Sequence, residues 1–509
     1  MISKVFSGAV EGVDGLIVDV EVDIAKGLPA FSIVGLPEAA VRESKDRVKA
    51  AIQNNGYTFP NRRITVNLAP ADLRKVGTGF DLPIAIGVLI ASQICKSDIF
   101  AKYLFLGELS LDGSVKPVNG ILPIVLFARE KGFTGVILPE GNMREGSVVD
   151  NIDIIGVANL HQVVDFLTGQ KFIQPAECRV NELLFSPSKT KDDFSEVKGQ
   201  EHVKRALEIA AAGGHNVLLE GAPGAGKTML ARRVPTILPD LTFAEALEVT
   251  KIYSISGKLN NDSNHGLVTA RSFRAPHHTI SDAGLIGGGQ YPKPGEVSLA
   301  HNGVLFLDEL TEFRRNVLEG LRQPLEDGEV TISRASSSMR FPARFILIAA
   351  MNPCPCGFYG DSFHECTCSA VQIQRYKNKI SGPLLDRFDM YVAVSAVPFK
   401  DLSKANGGES SAQVRERVSL ARKRQSERLS RGKNMYCNNQ MSSRHIQKFC
   451  ELDSASNSLL ENAVHSLGLS ARAFNRIKKI ARTIADLADS EMIHKEHIAE
   501  AIQYRRRKL

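Results

Sequence analysis

The chain has 509 residues, too many for one ordinary hydrophobic core, so roughly two to four domains are expected. With 43% hydrophobic and 23% charged residues, the composition excludes a disordered or fibrous chain. The formal net charge of +7 is too small by itself to indicate a nucleic-acid partner.

The start, MISKVFSGAVEG, lacks the basic-then-apolar pattern of a secretory leader, and the longest apolar run, LPIAIGVLIASQI from Leu82, is too short to span a bilayer and contains a proline. A soluble, cytoplasmic protein without a membrane partner is expected. Residues 1–168 mix alternating strands (LIVDVEVDI from Leu16, RITVNLA from Arg63, GVILPE from Gly135) with a helix over PEAAVRESKDRVKAAIQNNG from Pro37, an α+β or α/β pattern. Within it, GELSLDGSVKPVNGILPIVLFAREKGFTGVILPEGN from Gly107 resembles the proteolytic domain of Lon peptidases, which shares its fold group with the second domain of ribosomal protein S5. That resemblance requires a serine nucleophile and a lysine base. Laying KVGTGFDLP and NGILP on the two Lon motifs puts Gly79 and Leu122 at those positions, so the domain is a degenerate relative with no protease dyad. Residues 169–191 show no sustained period and read as a linker.

From 192 to 400, short β-branched or leucine-rich strands (NVLLE, GVLFLDE, RFILIAAMN, MYVAVSAV) alternate with helical segments, as in a parallel sheet covered by helices. GAPGAGKT fits the phosphate-binding pattern G-x-x-x-x-G-K-[ST] in full, between a strand and a helix. Its Gly221, Ala222, Pro223, Gly224, Ala225 and Gly226 present backbone N–H groups to phosphates; Lys227 reaches the β/γ oxygens, and Thr228 ligates Mg²⁺. Downstream, GVLFLDEL places Asp308 at the carboxyl end of a buried strand to hold Mg²⁺, with Glu309 to polarise a water; the same pair elsewhere is often just the start of a turn. Asn352 ends RFILIAAMN and either orients the lytic water or starts a turn before Pro353.

Between the loop and Asp308 lies a Gly- and Pro-rich stretch, RSFRAPHHTISDAGLIGGGQYPKPGEVSLAHNG. In DGEVTISRASSSMRFPARF, alternation on both sides of ASSS predicts a β-hairpin with Arg334 near its tip. After Asn352, Cys354, Cys356, Cys366 and Cys368 fall as C-x-C, nine residues, C-x-C, a set suited to a structural Zn²⁺, with His364 as an alternative ligand; unligated thiols are the other reading. Residues 401–509 lose strands and become helical, including the basic run RERVSLARKRQSERLSRGK from Arg415, which in most chains is a solvated helix face, and SARAFNRIKKIARTIADLAD from Ser470.

The order of phosphate loop, Asp-Glu, strand-Asn, LDRFD and a late S-x-R resembles the AAA+ ATPases, specifically the magnesium-chelatase-like branch that includes the MCM helicases. The resemblance implies a P-loop core with a helical C-terminal lid. It makes Asn352 the sensor 1 residue, Arg387 an arginine finger acting on a neighbour's nucleotide, and Arg472 the sensor 2 arginine. A hexameric ring follows, with the Gly- and Pro-rich insert turned to the pore and Arg334 on a pore hairpin that grips DNA. Taken with the front domain and the NPCPCG loop, nearly the whole chain is similar to the ComM/YifB family. That likeness implies an ATP- and Mg²⁺-dependent DNA helicase promoting branch migration in natural transformation, with recombination proteins as partners. A chelatase-type remodeller is the alternative.

Overall fold

The computed structural model describes residues 1–72, 74–75, 77–97, 99–177, 192–259, 266–289, 291–334, 337–361, 363–397, 408–429 and 435–505. The expected linker therefore lies outside the described residues from 178 onward, as do the hairpin turn at 335–336 and the terminal 506–509. Contacts divide the chain into two units, Met1–Ser186 with Thr242–Thr269, and Pro187–Leu241 with Ala270–Leu509.

Among the described residues of the first unit, seven strands make one mixed sheet. β1 (Ile2–Glu11) and β2 (Asp14–Ala25) form an antiparallel hairpin, and alternation buries Val18, Val20 and Val22 of β2 completely. With β3 (Ala30–Val34), β4 (Arg63–Ala69), β5 (Tyr103–Phe105), β6 (Gly135–Pro139) and β7 (Asp153–Val157), the order is β3-β4-β2-β1-β5-β6-β7. β6 lies between two parallel neighbours and is buried at every position, which explains its unbroken apolar sequence. The helix expected from Pro37 forms in two pieces, Ala39–Arg42 and α1 (Ser44–Asn54), separated at Glu43. The apolar run from Leu82 forms α2 (Asp81–Ala91), buried on nearly every side; no helix among the described residues is long and apolar enough to cross a membrane.

The helix Phe243–Ser256 belongs to this unit, although it follows the phosphate loop in sequence. It packs against α3 (Ile121–Glu130), and its Ser254 hydroxyl donates to the buried Glu145 carboxylate. Glu145 also accepts from Leu122 N at 2.9 Å, and burial pushes its carboxyl above the usual range.

In the second unit, α4 (Glu201–Gly213) leads into β8 (Val217–Gly221), and α5 (Lys227–Ile237) follows it. β9 (Phe273–Arg274), taken from the RSFR of the Gly- and Pro-rich insert, is the edge strand of a sheet ordered β9-β10-β13-β8-β14, where β10 is Val304–Leu307, β13 Ile346–Met351 and β14 Met390–Val394. All of its pairings are parallel, and β10 and β13 are buried throughout, as a sheet covered on both faces requires. The expected hairpin forms separately from β11 (Glu329–Arg334) and β12 (Ser337–Pro342). The strand pairing reaches further into the ASSS segment than expected, since Ser337 and Ser338 pair with Arg334 and Ser333.

The C-terminal part is helical. The basic run forms α7 (Ser411–Leu429), and its arginines are committed inside the unit. Arg417 pairs with Glu208 at 2.6 Å and with Glu409; Arg422 donates to Ala211 O at 2.9 Å; Arg428 holds the buried Asp486. Asp486 lies on α8 (Ala471–Leu487), whose N-cap Ser470 accepts from Ala473 N. The run is thus a helix-to-helix clamp. Its described arginines all have partners within the unit, while Lys423 is exposed, and Arg431 and Lys433 lie outside the described residues.

Candidate nucleotide-binding site

The loop Gly221–Thr228 joins β8 to α5 at the carboxyl edge of the parallel sheet, where open α/β sheets bind ligands. Gly226 has φ 86°, a conformation natural only to glycine, and it turns the chain so that α5 begins at Lys227 with its unpaired N–H groups and positive dipole end facing the loop. Lys227 is 9% exposed. Its Nζ donates to Gly221 O at 2.6 Å, Ala222 O at 2.9 Å and Asn352 Oδ1 at 3.1 Å. Burial lowers the Lys227 pKa, while the Asp308 and Glu309 carboxylates pull it back up. Asn352 stands one residue beyond β13, the strand between β8 and β10, and so its amide reaches this lysine.

Thr228 Oγ1 donates to Asp308 Oδ2 at 2.6 Å, and the other Asp308 oxygen accepts from Glu309 N at 3.0 Å. A hydroxyl and a carboxylate side by side are hard oxygen donors of the kind Mg²⁺ takes. Glu309 leaves β10 with φ 50°, a left-handed conformation that costs a non-glycine residue about 1–2 kcal/mol. The turn frees its carboxylate, which is 59% exposed and lies 3.6 Å from His278 Nδ1. His278 is a site residue that sequence reasoning missed: the RAPHHT segment has no periodicity, and only the edge strand β9 brings it to the end of β10.

A cleft of about 450 Å³ opens beside these groups, lined by Glu309, Asn352, Pro355, Arg375, Tyr376 and Lys379. Arg375 and Tyr376 come from α6 (Ala370–Lys377), whose capping box at Ser369 and Gln372 follows directly on Cys368. Tyr376 Oη accepts from Thr311 Oγ1 at 2.6 Å, anchoring α6 to the turn after β10.

Arg387 and Arg472 lie elsewhere. Arg387 is 6% exposed, ion-paired to Glu326, with Nη1 donating to Pro383 O at 2.7 Å; Arg472, largely exposed, meets the same Glu326 at 3.9 Å. Among the described residues neither bonds to the phosphate loop of its own chain. Arg334 is the last residue of β11, but its side chain lies outside the described residues.

The four sulfurs of Cys354, Cys356, Cys366 and Cys368 converge within 4.8 Å of one another. Three of the separations are 3.3, 3.7 and 3.6 Å, close to the about 3.8 Å between sulfurs of a tetrahedral Zn²⁺ site with 2.3 Å bonds. A hydrogen bond from the Phe358 backbone holds the Cys356 thiol down at about 6, whereas burial and the neighbouring sulfurs push the Cys366 and Cys368 thiols up. His364 stays outside this group; it pairs with Asp361 and packs on the Phe358 ring. In the first unit, Leu122 is wholly buried and Gly79 offers only backbone, its carbonyl accepting from Gly107 N at 3.0 Å.

The sequence profile described as magnesium chelatase, subunit ChlI, matches residues 193–402; one described as subunit ChlI of Mg-chelatase matches 20–142, and one for the subunit ChlI C-terminal region matches 408–505. The chain is 47% identical to competence protein ComM of Haemophilus influenzae over 98% of its own length and 97% of that protein. It is 44% identical to YifB of Escherichia coli, over 99% and 97% respectively. The magnesium-chelatase 38 kDa subunit of Rhodobacter capsulatus is 29% identical over 31% of this chain and 50% of its own. With its phosphate loop, its parallel sheet in this order and its helical C-terminal region, the chain belongs to the ComM/YifB family of magnesium-chelatase-like AAA+ proteins.

Proposed function

We propose that the chain is an ATPase that works as a ring of six copies and drives DNA, extending heteroduplex by branch migration during homologous recombination, with natural transformation as its setting. The observation that carries this reading is 47% identity, over 98% of the chain, to a protein named for competence, combined with Lys227, Thr228, Asp308 and Asn352 meeting at one sheet edge. Lys227 binds the β/γ phosphates, exchanging its two backbone carbonyl partners for phosphate oxygens. Thr228 and Asp308 hold Mg²⁺, which neutralises charge between the phosphates when bound. Glu309 orients the attacking water, and Asn352 fixes Lys227 and senses the γ-phosphate. Arg387 acts as a finger on a neighbouring copy's nucleotide and Arg472 as the sensor 2 arginine, both released from Glu326 as the ring closes on nucleotide. Arg334, at the tip of the β11–β12 hairpin, contacts the DNA backbone. The four cysteines hold Zn²⁺. The working compartment is the cytoplasm and the partners are recombination proteins.

A second reading, a chelatase-type remodeller of a metal-insertion or protein partner, is favoured by the descriptions of the matching profiles. One assay separates the two: phosphate release by the purified full chain with and without forked or four-way DNA, for wild type and Lys227→Ala. The motor reading expects stimulation by DNA that weakens as salt rises, and loss of at least about a hundredfold in the variant. Turnover indifferent to DNA but stimulated by a porphyrin or a protein partner contradicts it.

A further inference from the structure

The cysteine loop touches the nucleotide machinery at three places, none of which a detached structural metal site would need. First, only Pro353 separates Asn352 from Cys354, and Cys354 is fully buried, so the first sulfur and the amide bonded to Lys227 are rigidly spaced by a residue with fixed φ. Second, the turn that carries Cys354 and Cys356 ends at Gly357, whose N–H donates to Cys354 O at 3.0 Å. Gly357 has φ 89°, and a Cβ on it would lie 2.5 Å from Cδ and 2.7 Å from Cγ of Pro223, the third residue of the phosphate loop. Backbone of the cysteine turn is therefore pressed flat against the loop, with no room for a side chain between them. Third, Pro355, the residue between the first two cysteines, lines the cleft shared by Glu309 and Asn352. At the far end of the cluster, Cys368 runs straight into the cap of α6, which carries Arg375 into that same cleft.

We propose that the four-cysteine zinc site braces the phosphate loop: a metal held by Cys354, Cys356, Cys366 and Cys368 fixes the turn at Gly357, and the turn fixes Pro223 and Asn352 in their nucleotide-binding positions. The proposal rests on reading the cluster as a zinc site and Gly221–Thr228 as the ATP loop. Free energy of metal binding at such a site is free energy of ordering the segment that supplies the ligands. A long cysteine insert with little regular structure of its own has few other means to hold a turn against a loop that must admit and release ATP. Loss of the metal then leaves the core folded but lets the turn drift, so Pro223 loses its backing and Asn352 its register on Lys227.

The test uses the purified full chain, with zinc measured by elemental mass spectrometry and affinity measured by titration with a fluorescent ATP analogue. Gly357→Ala keeps every thiol and inserts a methyl where Pro223 stands; Cys366→Ser removes a ligand. Wild type should carry about one zinc per chain. Gly357→Ala should keep its zinc yet bind the analogue about tenfold more weakly, and Cys366→Ser should lose the zinc and show a similar loss. If Cys366→Ser does not fold, stripping the wild type with a chelator and restoring zinc should lower and then recover affinity. Gly357→Ala with zinc and wild-type affinity overturns the brace and leaves the zinc site standing. A wild type without zinc overturns the zinc reading and the brace with it, and a wild type that binds no analogue at all overturns the ATP reading itself.

Discussion

Lys227 shows how much of a nucleotide site is local in sequence and how much is not. The loop that presents it was legible because glycine spacing, a preceding strand and a following helix are all covalently contiguous. Its bond to Asn352 was legible only as a position on a strand tip, since nothing in the sequence fixes that β13 pairs beside β8. Glu326 and His278 were not legible at all: one restrains Arg387 and Arg472, the other faces Glu309, and both come from segments whose own pattern is uninformative. Because Arg387 makes no bond to its own phosphate loop, replacing it should separate two quantities. Arg387→Ala should bind nucleotide as wild type does, while turnover by the assembled protein falls about a thousandfold, the usual worth of an arginine finger. Equilibrium binding together with phosphate release measures both; an equal loss in binding, or none in turnover, contradicts a role across the boundary between copies.

At the scale of elements, strands with clean alternation or unbroken apolar runs were readable because each pattern reflects which faces of the sheet are covered. The basic segment from Arg415 was harder, since charge count does not reveal that α4 and α8 supply the acids and carbonyls that meet it. The start of β8 is held in a similar long-range way. His215 is fully buried and bonded to Thr483 of α8 at 2.9 Å. The Thr483 hydroxyl donates to Lys479 O, so His215 Nε2–H donates to Thr483 and Nδ1 is left bare. Burial drives the His215 pKa down from 6.5 to about 4, despite Asp389 nearby. The unfolded chain therefore takes up the proton first. The stability this neutral ring contributes is complete above pH 6.5 and is lost as pH falls toward 4, to roughly 3 kcal/mol. Urea midpoints at pH 7 and pH 4.5 should diverge for wild type and diverge less for His215→Gln, whose side chain does not titrate. Equal pH dependence in the two proteins would rule out this histidine as the source.

For the whole molecule, the sequence alone indicated a P-loop core with a helical C-terminal region, because motif order is preserved along the chain. It did not indicate that contacts group Thr242–Thr269 with Met1–Ser186: a helix that leaves one core for another carries the same 3.6-residue pattern in either place. Gly79 and Leu122, the two positions laid on the Lon dyad, supply neither a nucleophile nor a base. The most direct measurement of what the ATP site drives is the resolution of a labelled four-way DNA junction by the purified full chain, with ATP and Mg²⁺, beside Lys227→Ala at equal concentration. The account predicts that wild type moves the branch point to completion and that the variant binds the junction without moving it; a wild type that hydrolyses ATP yet leaves the junction in place contradicts it.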